Sequence, residues 1–151
     1  MHNTAEINRF IHENLSIVLT FAYSRPAIGG ALQRRFKGEW KHLYTTIYDI
    51  GERRADRALL EMATQLRIID DAEDLSSQFP HAFGKVVQAD GSETPLYFRD
   101  MTNKIIHGAM FKWQLRTESP YVVINSARPD RWKIAHVELE ALMAFISLLV
   151  L

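Results

Sequence analysis

The sequence predicts a mainly α (α+β) domain, a helical bundle with a small antiparallel β-meander placed before the last helix. Three observations carry this expectation. Apolar residues recur at three- and four-residue steps through the first half of the chain, the period of a helix face turned to a core. After Gly108 the period drops to two: Phe111, Trp113 and Leu115 alternate with Lys112, Gln114 and Arg116, as in a half-buried strand. The closing stretch ALMAFISLLVL is almost wholly apolar but only 11 residues long. That suits a buried helix and falls short of the about 20 residues of a membrane span.

The chain has 151 residues, 47% of them apolar, enough for one domain over 1–151 with a real core. It has no cysteine, which excludes a disulfide framework, a zinc ribbon and a thiol nucleophile. A reducing, cytoplasmic setting fits. Basic and acidic residues balance at 18 each, so no global field draws in nucleic acid. The charge is unevenly spread, however. Residues 25–57 carry eight basic and four acidic side chains, 58–100 three and eight, and 101–137 six and two. Two basic blocks therefore flank an acidic one, although solvated helix faces would look the same. His2-Asn3-Thr4 is not the charged start of a secretory signal, and no membrane partner is expected.

In order, Asn3 or Thr4 caps a first helix with Glu6 in its first turn. Ile7, Phe10, Ile11, Leu15, Val18, Leu19 and Ala22 make its core stripe, and Arg25-Pro26 is expected to end it. Gly29-Gly30 reads as a joint. A second helical pattern covers about 31–71, marked by Phe36, Trp40, Leu43, Tyr44 and Ile47, then by Leu59, Met62, Ala63, Leu66 and Ile69. Unbroken it would span roughly 60 Å, so a break or kink is expected near Gly51. The acids Asp70, Asp71, Glu73 and Asp74 oppose a helix C-terminal dipole, which predicts a helix end there or a new start on Asp71. Residues 76–94 read as irregular, with a hairpin at Asp90-Gly91. Pro95 is expected to open a central helix that Gly108 stops. Strands follow near 109–117, 121–126 and 132–136, separated by turns at 117–120 and at Arg128-Pro129-Asp130-Arg131. The last helix covers about 137–150.

The central helix holds the chemistry. Arg99, Asn103 and His107 are four apart and share one helix side, drifting about 40° per step. Histidine titrates near neutrality, so His107 is the candidate acid or base. Asn103 can hold the ring or a phosphate oxygen, and Arg99 can stabilise developing negative charge. Lys104 is adjacent. The plainer reading of His107 is a helix-capping side chain that satisfies carbonyls. Arg34, Arg35, Lys37 and Lys41 mix with Trp40 and Tyr44, as on RNA-binding surfaces, although aromatics at helical spacing are more often core. The acidic run could bind a hard cation but lacks the glycine of a calcium loop; a local Arg67–Asp70 ion pair is the plainer expectation. His2, His12, His42, His81 and His136 show no metal spacing, and no metal or cofactor motif is present.

Asn103-Lys104-Ile105-Ile106-His107-Gly108, late in a mostly helical chain of this length, resembles the HEPN superfamily. The Asn-x-x-x-His half matches Asn103 and His107. The nearest upstream arginine, Arg99, is set farther from the histidine than in the family motif, and the β-meander is not part of the family's common core. The resemblance implies a dimeric helical domain, in many members a metal-independent RNase of toxin–antitoxin, phage-defence or RNA-decay systems. The active site there forms where two motif helices meet across the dimer. On that basis His107 acts as acid or base, Arg99 holds the scissile phosphate and Asn103 orients it. The RNA's own 2′-hydroxyl attacks, so no cofactor is required. Expected partners are a second copy of the chain, RNA, and a cognate antitoxin or other protein. The alternative is a non-catalytic nucleotide-, RNA- or protein-binding module in which the same helix is only a dimer seam. Arg99 discriminates: near His107 it favours the enzyme, whereas turned to Asp100 or solvent it favours the module.

Overall fold

The computed structural model describes residues 3–35 and 41–151. Helix α1 spans Thr4–Arg35, and the Asn3 side chain caps it by accepting the Ala5 N–H at 3.2 Å. Its stripe of Ile7, Ile11, Leu15, Val18, Phe21 and Ala22 is buried. A short helix α2, Lys41–Tyr44, runs into a π-helical segment, Thr45–Ile50, and then into α3, Gly51–Glu73. The buried face of α3 (Ala58, Leu59, Met62, Ala63, Leu66 and Ile69) lies along α1 in the most extensive helix pairing of the fold. Each such leucine- or isoleucine-sized side chain contributes about 1.5–3 kcal/mol when removed from water. By length and composition α1 is also long and apolar enough to cross a membrane.

Two expected breaks are absent. The helix continues through Pro26, and Gly29-Gly30 is not a joint. Proline removes one intrahelical hydrogen bond, but tertiary contacts on both sides of it hold the chain helical. Arg25 pairs with Glu52 at 3.5 Å and lies between the rings of Phe21 and Tyr48, 5.4 and 5.0 Å from their centroids. Gly29 serves close approach: a Cβ there would stand 2.8 Å from the Tyr48 hydroxyl. Near Gly51 the chain changes from π to α hydrogen bonding without leaving the helical region, with Gly51 at φ −61°, ψ −45°. A widened turn there takes the place of the expected break or kink. Phe36, Lys37 and Trp40 lie outside the described residues.

The acidic run ends α3 at Glu73, and Asp74 is left-handed at φ 52°. The Asp70 carboxylate accepts the Ser76 N–H at 2.6 Å, so one of these acids caps the next short helix, α4, Leu75–Gln78. The expected hairpin forms from β1, Gly84–Gln88, and β2, Glu93–Pro95. Pro95 therefore belongs to a strand, paired with Lys85, and not to the helix start. The bonds Leu96 N–H to Gly84 O (3.0 Å) and Phe83 N–H to Leu96 O (2.7 Å) keep this stretch extended. Helix α5 begins only at Phe98 and runs to His107.

Three more strands follow: β3, Gly108–Gln114; β4, Tyr121–Ser126; and β5, Trp132–Glu138. The expected meander is thus present. The hairpin adds to it through β1–β5 pairing, giving one antiparallel sheet in the order β2-β1-β5-β4-β3. Gly108 ends α5 by turning extended (φ −71°, ψ 148°), not through a left-handed cap. A Cβ at this position would run into the Ile124 side chain and the Lys104 carbonyl, so the glycine lets β3 leave the helix against β4. Helix α6, Leu139–Ile146, is shorter than its apolar pattern suggested and is followed by turns. His12 and Asn8 on α1 hold that tail at the Leu149 and Val150 carbonyls, 2.8 and 2.9 Å away.

One sheet face packs Val86, Trp113, Val122, Ile124, Ala135 and Val137 against the helices, all buried. At the edge strand, Trp113 donates its indole N–H to Asp56 of α3 at 2.6 Å and meets Phe21 edge-on at 5.3 Å. Burial is the main influence on Asp56 and raises its carboxyl above the ordinary 3.8; the Trp113 hydrogen bond lowers it and Glu52 raises it. A raised carboxyl favours the neutral acid in the folded state. Its stability contribution is therefore fully present below the unfolded value and lost as pH rises through the raised one. Asp56→Asn keeps an acceptor for the indole and removes that titration. The variant should melt above the parent at neutral pH, and the gain should shrink as pH falls towards about 4. A gain independent of pH in thermal scans would refute this account of Asp56.

Candidate functional site

Helix α5 is amphipathic. Phe98, Met101, Thr102 and Ile105 are buried, which turns Asn103, Lys104 and His107 to the other side. These three line one open cleft of about 650 Å³, together with Gln88, Asp100, Trp132 and the β4–β5 turn residues Ser126, Ala127, Arg128 and Arg131.

Each side chain is held differently. Lys104 is largely buried, bound to Asp100 at 3.1 Å and seated over the Trp132 ring, 4.7 Å from its centroid. Asn103 is exposed, and its Oδ1 accepts Arg67 Nη1 at 2.9 Å, which leaves its Nδ2 hydrogens as the donors available to a ligand. His107 is exposed and makes no side-chain hydrogen bond or ion pair among the described residues, so the capping role is not the one it adopts here.

Arg99 is not part of this cleft. Its Nη1 donates to Asp70 at 2.9 Å and its Nη2 to Asp71 at 3.2 Å. The Asp70 side chain is wholly buried while that of Arg99 is half exposed. Arg99 thus ties α5 to the end of α3, and the local Arg67–Asp70 pair does not form, because each member has a partner on α5. The reason is geometric: α3 packs along α5, so Asp70 meets a guanidinium that reaches it across the interface. The Arg99 side chain thus turns to neither His107 nor Asp100.

The remaining candidates are dispersed. Arg34 and Arg35 are exposed at the end of α1 and do not line the cleft, and Lys37 lies outside the described residues. Tyr44, the described aromatic of the basic–aromatic stretch, lines a second cleft of about 450 Å³ with Arg25, Tyr48 and Arg116. Within the acidic run, Asp70 and Asp71 bind Arg99, Asp70 also accepts the Ser76 N–H, and Asp74 accepts the Ser77 hydroxyl. No group of three metal-ligating side chains comes together among the described residues.

Sequence reasoning missed Arg128, Arg131, Gln88 and Trp132. It placed the turn at 128–131 but attached no chemistry to it, because register, and not spacing along the chain, brings this turn to α5. The signal available was the basic excess of residues 101–137, to which both arginines belong. Chemically, the cleft offers Lys104, Arg128 and Arg131 against one carboxylate, with a histidine and an amide between them. That set of donors is chemically suited to an anion with several oxygens, as a phosphate has. Comparison with known proteins yields no match among family models, curated proteins or solved structures.

Proposed function

We propose that this chain is an RNA-binding domain that seats an RNA phosphate in the cleft between α5 and the β4–β5 turn. The observation that carries the reading is the gathering of Lys104, His107, Arg128 and Arg131 around one cleft in a chain of zero net charge. The Asn103–His107 spacing, which resembles the HEPN motif, supports RNA as the polymer.

A second reading adds metal-independent cleavage, favoured by His107, which is exposed and has no side-chain partner among the described residues. Its imidazole would take the 2′-hydroxyl proton as that oxygen bonds to phosphorus. The P–O5′ bond breaks, and the 5′-oxygen leaves with the proton returned by the imidazolium. Arg99 has no part in this step while it holds Asp70.

Binding to a single-stranded oligoribonucleotide, followed by fluorescence anisotropy, tests the proposal. With about three phosphate contacts, log K should fall against log salt with a slope near −2. His107→Ala should weaken binding several-fold with little change in Tm, because the side chain is exposed. Under the second reading the same variant abolishes cleavage in EDTA. Salt-independent binding, or no binding at all, would reject the RNA assignment.

A further inference from the structure

We infer that the cleft selects a phosphate monoester, at an RNA strand end or on a free nucleotide, over an internal phosphodiester, and that Arg128 and Arg131 clamp it. The inference rests on the proposed RNA reading for its biological setting but has its own chemistry.

Lys104 is already neutralised by Asp100 at 3.1 Å and fixed on the Trp132 ring. Arg128 and Arg131 are exposed and form no ion pair among the described residues, and no second carboxylate lines the cleft. Two uncompensated guanidiniums therefore face the ligand. A monoester dianion presents two charges and three terminal oxygens; an internal diester presents one charge and two. Guanidinium forks pair with such oxygens two at a time, so the second arginine gains a full partner only with the monoester. Exposed His107 and the Asn103 Nδ2 hydrogens are further donors to the third oxygen when the imidazole is charged.

The turn that carries both arginines is closed internally. Ser126 Oγ accepts the Arg128 N–H at 2.9 Å, and the Arg128 carbonyl accepts the N–H groups of Arg131 and Trp132 at 3.0 and 3.4 Å. Pro129 fixes one φ inside it. The two backbone sites are thus ordered before the ligand arrives, which lowers the entropy cost of gathering the guanidiniums. Arg99, the arginine expected from the motif, is held elsewhere by Asp70.

The test compares the binding of five probes to the intact chain: one oligoribonucleotide bearing a 5′-phosphate, a 3′-phosphate or hydroxyls at both ends, and AMP against adenosine. At least one phosphorylated end should bind about tenfold tighter than the hydroxyl-ended strand, and AMP should bind where adenosine does not. Arg128→Gln and Arg131→Gln should each erase most of that preference, and Arg116→Gln, on the second cleft, should keep it. RNA binding with no end preference would overturn the inference and leave the RNA proposal standing. AMP binding through Arg128 and Arg131 without RNA binding would do the reverse. Binding of neither would overturn both.

Discussion

Replacing Arg99 by alanine should unfold the protein at a markedly lower temperature before it says anything about chemistry. The Asp70 side chain is wholly buried, and among the described residues Arg99 Nη1 at 2.9 Å is the one cation paired with it. Its other oxygen is already taken by the Ser76 N–H. Removing one member of a buried pair leaves a buried charge that water cannot fully reach, which costs about 3–5 kcal/mol in dry sites. Half exposure of Arg99 reduces this to about 2–3 kcal/mol here. For a chain of this size that is a Tm loss of roughly 5–10 °C. Arg99→Ala with Asp70→Asn should recover much of it, because the amide keeps an acceptor for Ser76 and carries no charge. Thermal scans of the two single variants and the double variant decide the matter. An Arg99→Ala protein that melts with the parent yet loses RNA binding would return Arg99 to the functional site.

Phe98→Ala should cost still more. Phe98 is 1% exposed and sits in an aromatic cluster, its ring centroid 4.9 Å from Phe145 and 6.0 Å from Phe83. Phe79 joins the same cluster against Phe83 and Phe145 at 5.2 and 4.9 Å. Four elements of the chain therefore meet on this ring system: the segment after α4, the entry to β1, the first turn of α5, and α6. Truncation loses the transfer energy of the ring and leaves a cavity that stiff neighbours cannot fill, about 3–5 kcal/mol in all. Urea denaturation should show the midpoint falling with little change in slope. Because Phe98 anchors the first turn of the helix that presents Asn103 and His107, the variant should also bind RNA more weakly near its melting range. A loss under 1 kcal/mol would mean that the cluster repacks around the gap.

What could be read from the sequence divides along the same lines. Period alone located the α1 and α3 stripes and the alternation of Phe111 and Trp113, because burial imposes period directly on the chain, whereas strand 121–126 showed as a short run, Tyr121 to Ile124, apolar on both faces between two turns. Local rules failed where distant contacts outweighed them. Pro26 and Gly29 look like punctuation, but Arg25, Glu52 and Tyr48 hold that stretch of α1 helical. Pro95 resembles a helix start, but strand pairing with Lys85 takes it. Half of the site was legible, since Asn103, Lys104 and His107 share a helix face fixed by the residues between them. The other half was not. Arg128 and Arg131 reach α5 only through the β4–β5 register, and Arg99 is drawn away by an acid 29 residues earlier in the chain.

Amide chemical-shift mapping of the labelled chain during titration with single-stranded RNA tests the central claim, that the cleft beside α5 holds the phosphate. The account predicts the largest changes at residues 103–108 and 126–132, from α5 and the β4–β5 turn. Changes centred on Arg25, Tyr44, Tyr48 and Arg116 around the second cleft, or no change along α5 while RNA is bound, would contradict it.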